Sequence, residues 1–219
     1  MFNQRLRSKT SRSFIEPQPV HRPKCNHSFP SQGTAFPANL IVTTTHILHR
    51  APVSEEIFDV VNERNEVIDR QPRSVVHRKG LKHRAVHVLV FNVRGELFLQ
   101  KRSMSKDCFP GTWDSSASGH LDCGEEYDAC AIREVREELG YELNDVPKRL
   151  FEISARPETG QEFVWIYRAD LEGPFKLQWS EVEAGGWFAP EVVSHWTKNR
   201  PEDFAPAFVL IWNQLVGGV

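Results

Sequence analysis

The sequence is short of cysteine, of net charge and of long apolar runs, and each shortage argues against a class of protein. Its four cysteines (Cys25, Cys108, Cys123 and Cys130) form no C-x-x-C pair, which argues against a zinc knuckle and favours a reduced intracellular protein. No apolar stretch approaches the roughly 18 residues of a membrane span, so we expect no membrane partner. The net charge of −2 gives no bulk attraction to a nucleic acid polymer, and we expect no such partner either.

Acidic residues are almost absent from residues 1–53, where Glu16 stands among seven lysines and arginines. Prolines interrupt this segment and no helical or strand period persists in it. We therefore predict a disordered extension, or a start codon assigned too far upstream. The alternative is an organelle transit peptide, because such peptides are rich in arginine and serine and poor in acid. The expected location is the cytoplasm, with organelle targeting as the alternative.

Residues 54–219 carry a continuous pattern that predicts one domain. Two short apolar runs flank residues 62–65, which indicates an antiparallel β-hairpin. Residues 85–91 read as a buried strand. The remaining predicted elements are strands at residues 97–100, 150–154, 163–167 and 186–188, and a final helix over residues 202–215. Strands and helices mixed in this order predict an α/β or α+β sandwich.

The strongest chemical signal is a set of three glutamates at i, i+3 and i+4: Glu134, Glu137 and Glu138. The surrounding pattern predicts a helix that begins near Asp122, with Glu125 completing a capping box, and ends at Gly140. In a helix the three carboxylates share one face, where each pair of like charges costs about 0.2–0.5 kcal/mol. A hard dication such as Mg²⁺ reverses this penalty, because it binds carboxylate oxygens and leaves positions open for phosphate and water.

The segment from Gly119 to Tyr141 resembles the complete Nudix box, with the spacing Gly-x5-Glu-x7-Arg-Glu-Val-x-Glu-Glu-x-Gly-Tyr. The last position departs from the family, which prefers an aliphatic residue there. The resemblance covers residues 54–219 and implies a Nudix-type α/β/α sandwich with a mixed sheet. It also implies a hydrolase that cleaves the diphosphate linkage of a nucleoside diphosphate derivative, or of a related organic diphosphate, by water attack on phosphorus.

The same resemblance implies roles for individual residues. The implied ligands of Mg²⁺, or of Mn²⁺ in its place, are Glu134, Glu138, Glu137, Glu125 and the backbone at Gly119. Gly119 has no Cβ, so the chain can approach the ion closely there. Arg133 lies four residues before Glu137 and is expected to brace it as an ion pair. The implied catalytic residues are Arg133, Glu134, Glu137 and Glu138, and the general base is left open among the carboxylates.

Outside the box, four segments resemble the isopentenyl-diphosphate isomerase branch of the same superfamily: residues 83–88, 100–106, 109–113 and 118–120. This resemblance implies that Arg102 and Lys106 contact diphosphate. It also matches His83 and His120 to ligands of a histidine-rich metal centre and Glu162 to one acid of an acidic pair on a later strand, and we count His120 and Glu162 among the substrate-binding residues.

The isomerase site is incomplete in this sequence. Ser118 aligns with the isomerase cysteine, and a hydroxyl is far less acidic than a thiol of pKa about 8.5. Gly160 aligns with an isomerase acid, and His77 falls one residue out of register. Because isomerases lose the equivalents of Glu134 and Glu137, we predict a hydrolase. An isomerase and a non-catalytic diphosphate-binding module are the alternatives.

Four further residues have open roles. His83 and His87 point to one face of a predicted strand, and we predict hydrogen-bonded core histidines rather than metal ligands. Glu181 or Glu183 is a candidate for one more carboxylate at the metal. The expected partner is a small-molecule diphosphate substrate, and a homodimer built through the N-terminal hairpin stays open.

Overall fold

The computed structural model describes residues 55–218, in which helices pack on both faces of a seven-stranded mixed sheet beside a separate two-stranded hairpin. The strands are β1 (Ile57–Val61), β2 (Val67–Pro72), β3 (His83–Phe91), β4 (Leu97–Arg102), β5 (Trp113–Asp114), β6 (Ala117–His120), β7 (Lys148–Ile153), β8 (Glu162–Asp170) and β9 (Val182–Phe188). The helices are α1 (Arg73–Lys79), α2 (Tyr127–Leu139), α3 (Pro190–Asn199) and α4 (Pro206–Gly217). The predictions for residues 1–53 lie outside the described range.

Strand β3 is the centre of the sheet. It pairs in parallel with β8 and antiparallel with β4 and β6. Its sequence is a nearly continuous apolar run, as expected for a strand covered on both faces. The pairing places His83 opposite Glu162 and Ala85 opposite His120. The first residues of β3 and β8 and the last residue of β6 therefore meet at one edge of the sheet.

The alternation of side chains along β3 divides the interior into two cores. Val86, Val88 and Val90 pack against the apolar stripe of α2, which includes Ala131, Val135 and Leu139. Ala85, Leu89 and Phe91 pack instead against α3 and α4, whose core residues include Val193, Phe208 and Trp212. The acidic helix is thus fixed to the sheet by one face, and its other residues are free for chemistry.

The predicted N-terminal hairpin is confirmed as the antiparallel pair β1 and β2. Phe58 is buried beside Val76 of α1 in a small third cluster. The backbone N–H of Val61 donates to the carbonyl of Lys82 at 2.8 Å, which ties the hairpin to the start of β3. The prediction of a mixed-sheet α/β sandwich carrying this hairpin is also confirmed.

Two predicted helix starts are wrong. The helix α2 begins at Tyr127, not near Asp122, because residues 122–125 form a turn in which the N–H of Asp122 donates to the Glu125 carboxylate at 2.9 Å. Its end is as predicted, with Gly140 in the left-handed region at φ 61°. The final helix begins at Pro206, since Pro201–Asp203 forms a separate 3₁₀ turn.

Helices α1 and α3 were not predicted from the sequence. Among residues 55–218, no helix combines the length and the hydropathy that crossing a membrane requires.

Candidate active site

A cavity of about 860 Å³ opens beside β6 and the acidic face of α2. Its walls include every predicted substrate-binding residue: Arg102, Lys106, His120 and Glu162. They also include the whole predicted catalytic set, Arg133, Glu134, Glu137 and Glu138, and the predicted metal-binding position Gly119, whereas the predicted ligand Glu125 is not among them. The fold therefore collects residues that lie up to 60 positions apart in the sequence on one concave surface.

Glu138 is the most deeply buried carboxylate of the acidic helix, with 3% of its surface exposed. Its Oε2 accepts hydrogen bonds from Gln100 Nε2 and from the backbone N–H of Ser118, both at 2.9 Å. Burial, and then the negative charge of Glu134, raise the pKa of Glu138 to about 8. Burial also raises the pKa of Glu134 to about 7, although Arg133 opposes that rise. The positive charge near Glu134 and Glu138 is therefore too small to offset the effect of burial on their pKa values.

Gly119 lies against the carboxylate of Glu134. A Cβ built on Gly119 would stand 2.0 Å from Glu134 Oε1 and 2.2 Å from its Cδ. Any larger residue would displace the carboxylate, so glycine is required here for close approach and not for an unusual backbone angle. The prediction that the missing Cβ brings backbone close to the acidic cluster is consistent with this contact.

Arg133 holds the acidic residues together. Its guanidinium donates to Glu125 through Nε at 2.9 Å and Nη2 at 2.7 Å, and to Glu134 through Nη1 at 2.6 Å. The predicted pair with Glu137 is present at 3.2 Å. Nη2 also donates to the carbonyl of His120 at 2.9 Å. The contacts to Glu125 and Glu134 are shorter than the predicted one, so Arg133 positions Glu125 and Glu134 as well as Glu137.

The acidic cluster fits a hard divalent cation. Glu134, Glu137 and Glu138 present oxygen donors from one helix face, which is the donor type that Mg²⁺ and Mn²⁺ prefer. The raised pKa values of Glu134 and Glu138 reflect burial first and then repulsion, from Glu137 at Glu134 and from Glu134 at Glu138, and a bound dication would relieve both effects. In the described part of the chain, Gln100 Oε1 is also buried without a hydrogen-bond partner, and it lies on the residue that binds Glu138.

Similar proteins point to one family. A family model described as the NUDIX domain matches residues 81–208. The chain is 32% identical over 155 residues to the Nudix hydrolase PA4841 of Pseudomonas aeruginosa, with 70% of this chain and 90% of that protein covered. It is 33% identical over 166 residues to the Nudix hydrolase YfcD of Escherichia coli K12, with 72% and 84% covered. The crystal structure of DR0079 from Deinococcus radiodurans is similar with a TM-score of 0.58 at 29% identity, covering 66% of this chain and 90% of that one.

The chain belongs to the Nudix family. This membership confirms the predicted superfamily, fold and hydrolase class. Nudix hydrolases generally use divalent metal ions, which agrees with the donor set of the acidic cluster. The isomerase-like branch within the family, and the role of each side chain in the reaction, stay predictions.

Arg102 and Lys106, the two cations predicted to contact diphosphate, differ in what they contact in the Nudix cavity. Lys106 forms an ion pair with Glu181, and its positive charge is close enough to lower the pKa of both Glu134 and Glu138 against the effect of burial. Arg102 donates from Nη1 to Asp114 at 3.2 Å and from Nη2 to the carbonyl of Cys108 at 3.0 Å. Lys106 therefore faces the acidic cluster, whereas Arg102 braces the loop after β4.

The two candidates for a late carboxylate are separated by the structure. Glu181 lines the cavity and pairs with Lys106. Glu183 pairs instead with Lys101 at 3.5 Å, and its side chain is 44% exposed. Only Glu181 is placed where it can contact a substrate in the cavity.

Three histidines and one glutamate form a second polar group at the edge of the Nudix site. Candidate ligand atoms of His77, His83 and His120 all lie within 4.8 Å of one another. His120 Nε2 donates to Glu162 Oε1 at 3.0 Å, and His83 Nε2 lies 3.5 Å from the same oxygen. Burial lowers the pKa of His120 to about 4, although Glu162 opposes that shift. His77, judged out of register from sequence, joins the group because α1 carries it there.

Both histidines of β3 are buried and hydrogen-bonded, as predicted from the sequence. His87 is buried and hydrogen-bonds through Nδ1 to Ser115 Oγ at 2.8 Å. His83 donates from Nδ1 to the carbonyl of Leu81 at 2.9 Å, because a carbonyl oxygen only accepts. Among the described residues, the Nε2 of His83 has no hydrogen-bond partner. The metal-ligand role of His83 that the isomerase resemblance implies stays a prediction.

Proposed function

We propose that this protein is a Mg²⁺-dependent Nudix pyrophosphohydrolase. Its substrate would be a nucleoside diphosphate derivative or a related organic diphosphate, cleaved by water attack on phosphorus. The observation that carries this proposal is the buried pair Glu134 and Glu138, of which Glu134 lies against Gly119 and both line a cavity that also contains Lys106.

Different residues of the cavity would have different roles in this reaction. Glu134, Glu138 and Glu137 would hold Mg²⁺, or Mn²⁺ in its place, which when bound supplies positive charge to the phosphate oxygens. Lys106 and Arg102 would orient the diphosphate through charge-assisted hydrogen bonds. A carboxylate of the cavity would accept the proton of the attacking water, with Glu134, Glu137, Glu138 and Glu181 as the candidates. Arg133 acts through the carboxylates that it positions.

The size of the cavity supports an organic substrate rather than free diphosphate. Sites for cofactors and drug-sized ligands measure about 300–1,000 Å³, and this cavity has about 860 Å³. Arg73 of α1 and Phe109 of the loop after β4 also line it, and the remainder of a substrate would lie against such residues outside the acidic helix. A small-molecule partner of nucleotide size fits this space.

The test is hydrolysis of a substrate panel by the full-length protein with Mg²⁺ in ¹⁸O-water. The panel contains nucleoside diphosphate sugars, dinucleoside polyphosphates, nucleotide cofactors and prenyl diphosphates. Glu138→Gln should lower the rate by about 10²–10⁴-fold, as loss of a group that takes part in proton transfer or metal binding does. Glu142→Gln, at an exposed position just beyond the same helix, is the matched control. The proposal fails if no substrate releases ¹⁸O-labelled product above the Glu138→Gln background.

A second candidate function, prenyl diphosphate isomerisation, rests on the contacts of Glu162 with His83 and His120. An isomerase would exchange solvent deuterium into isopentenyl diphosphate, and absence of exchange would remove it. Ser118 argues against an isomerase, because a hydroxyl is much less acidic than a thiol and transfers a proton poorly. A non-catalytic diphosphate-binding module would instead bind nucleotides tightly and turn none over.

We also propose a cytoplasmic location, with organelle targeting through residues 1–53 as the alternative. Fluorescent fusions with and without residues 1–53 would separate the two. A homodimer is open, and light scattering of the full-length protein would decide it.

A further inference from the structure

A second set of possible metal ligands lies in the part of the cavity wall formed by α1 and the loop after β4. Candidate ligand atoms of His77, Asp107 and Cys108 all lie within 4.8 Å of one another. Helix α1 supplies His77, and the loop that follows β4 supplies the other two. All three residues line the cavity. The hydrolytic reaction proposed above has no use for this imidazole, carboxylate and thiol.

His77 is prepared to act as a ligand. Its Nδ1 is buried and, among the described residues, has no hydrogen-bond partner. Nδ1 lies 3.8 Å from Asp107 Oδ2, which is too far for a hydrogen bond. Two ligands at about 2.0–2.2 Å from a tetrahedral zinc ion are about 3.4 Å apart, so a shift of less than half an ångström would bring this pair to ligand spacing. Burial lowers the pKa of His77, which favours the neutral ring that metal binding requires.

Asp107 is held in place with one oxygen to spare. Arg73 contacts Asp107 Oδ1 at 2.9 Å and Glu56 at 3.5 Å. Asp107 Oδ2 therefore faces His77 while its partner oxygen is fixed, which is how outer-sphere groups orient a ligating carboxylate. Two carboxylates share one guanidinium here, so ionisation of the Cys108 thiol would bring this end of the cavity to a net charge of −2. A dication would neutralise that charge.

Cys108 supplies the donor that selects the metal. Arg102 binds the carbonyl of Cys108 through Nε at 3.2 Å and Nη2 at 3.0 Å, which fixes the backbone that carries the thiol. Burial raises the pKa of this thiol, so it stays protonated until a metal displaces the proton. A thiolate is a poor ligand for Mg²⁺ and a good one for zinc, which also accepts imidazole and carboxylate.

We propose that His77, Asp107 and Cys108 form a zinc site whose fourth coordination position opens into the cavity. Three protein ligands and one open position are the pattern of zinc sites that bind water or substrate. The ligand that this position would take is an oxygen of a phosphate group or a water molecule. The site shares His77 with the histidine group of His83 and His120, and it is separate from Glu134 and Glu138.

Cobalt spectroscopy tests the proposal, because Co²⁺ replaces zinc and a thiolate ligand produces a charge-transfer band in the near ultraviolet. The reduced, metal-free, full-length protein is first saturated with Mg²⁺ and then titrated with Co²⁺. The wild type and Cys123→Ser should show the band, and Zn²⁺ should remove it. Cys108→Ser should lack it, and His77→Ala should need at least about tenfold more Co²⁺. Cys123 is an exposed cysteine outside the cavity, so its replacement is the matched control.

Three results would overturn the site: no band in the wild type, a band that survives in Cys108→Ser, or a band lost equally in Cys123→Ser. If Cys25 supplied the thiolate, the band would survive in Cys108→Ser, because Cys25 is present in every variant. That is the second of these results. The unmutated protein gives an independent measurement. Zn²⁺ should slow alkylation of Cys108 by iodoacetamide and leave that of Cys123 unchanged, and equal labelling with and without Zn²⁺ would also refute the site. Glu138→Gln should keep the band, so the outcome does not depend on hydrolysis.

Discussion

A Cβ on Gly119 would stand 2.0 Å from Oε1 of Glu134. Gly119→Ala should therefore push this carboxylate out of place and destabilise the fold by about 1–3 kcal/mol, as overpacking does. We expect loss of most Mg²⁺ affinity, measured by calorimetry, together with a lower midpoint of urea unfolding. Gly217→Ala is the control, since nothing lies within 4 Å of a Cβ there. Unchanged Mg²⁺ binding in Gly119→Ala would contradict the role given to this contact.

We predict that lysine cannot replace the arginine at position 133 without loss of Mg²⁺ affinity. Arg133→Lys keeps the charge but cannot make the two parallel bonds to Glu125 and the bonds to Glu134 and Glu137 at once. We expect Mg²⁺ affinity to fall by about 10–100-fold, the usual effect of losing a group that orients metal ligands. Arg136→Lys, on the exposed side of the same helix, should change little because its pair with Glu137 is 3.7 Å long. Equal effects of the two substitutions would refute the positioning role.

We predict that replacing Lys106 lowers kcat/KM for the substrate rather than the stability of the fold. Lys106→Met removes the cation that faces Glu134 and Glu138 and pairs with Glu181. Loss of a charge-assisted contact of about 1.5–3 kcal/mol should lower kcat/KM by about 10- to 100-fold. Steady-state kinetics on the best substrate of the panel measure it. Lys101→Met, which breaks the half-exposed pair with Glu183, should stay within about twofold of wild type.

The raised pKa values of the two buried acids lead to a prediction of how the stability of the metal-free protein varies with pH. Burial raises the pKa of Glu138 to about 8 and that of Glu134 to about 7 in the folded state, while both acids are ionised in the unfolded chain above about pH 5. The folded state therefore binds more protons between pH 6.5 and 8, and the free energy of unfolding should fall as pH rises through that range.

Urea unfolding at several pH values measures this slope, which Glu138→Gln should flatten. Mg²⁺ should raise the melting temperature more at pH 8 than at pH 6.5, because protons compete with the metal for the carboxylates. A wild-type slope of the opposite sign, without metal, would contradict the burial argument.

The sequence predicted the acidic cluster well because its members are neighbours on one helix. Glu134, Glu137 and Glu138 lie within five residues, and the helical period alone places them together. The strand pairing that brings His83 opposite Glu162 joins residues 79 positions apart, and no local pattern encodes such a register. The pair was predicted only from the resemblance to the isomerase, and the position of His77 beside it was found only in the structure.

The elements that were missed have weak local signals. Helix α1 has seven residues and begins after Pro72 without a side-chain cap, so it depends on the packing of Val76 against Phe58. Helix α3 contains Val192, Val193 and Thr197, β-branched residues that favour strands when considered alone. The start of α2 was wrong because the Asp122–Glu125 contact occurs in a turn as readily as in a capping box.

Strand β6 contributes to both parts of the cavity through two residues that lie two positions apart: the N–H of Ser118 binds Glu138, and the side chain of His120 binds Glu162. A single-residue insertion or deletion in this strand would exchange its two faces and disable both groups in one step. Variation among related proteins should therefore leave β6 at constant length. An enzyme engineer who seeks a new substrate would do better to alter the loops that carry Lys106 and Glu181.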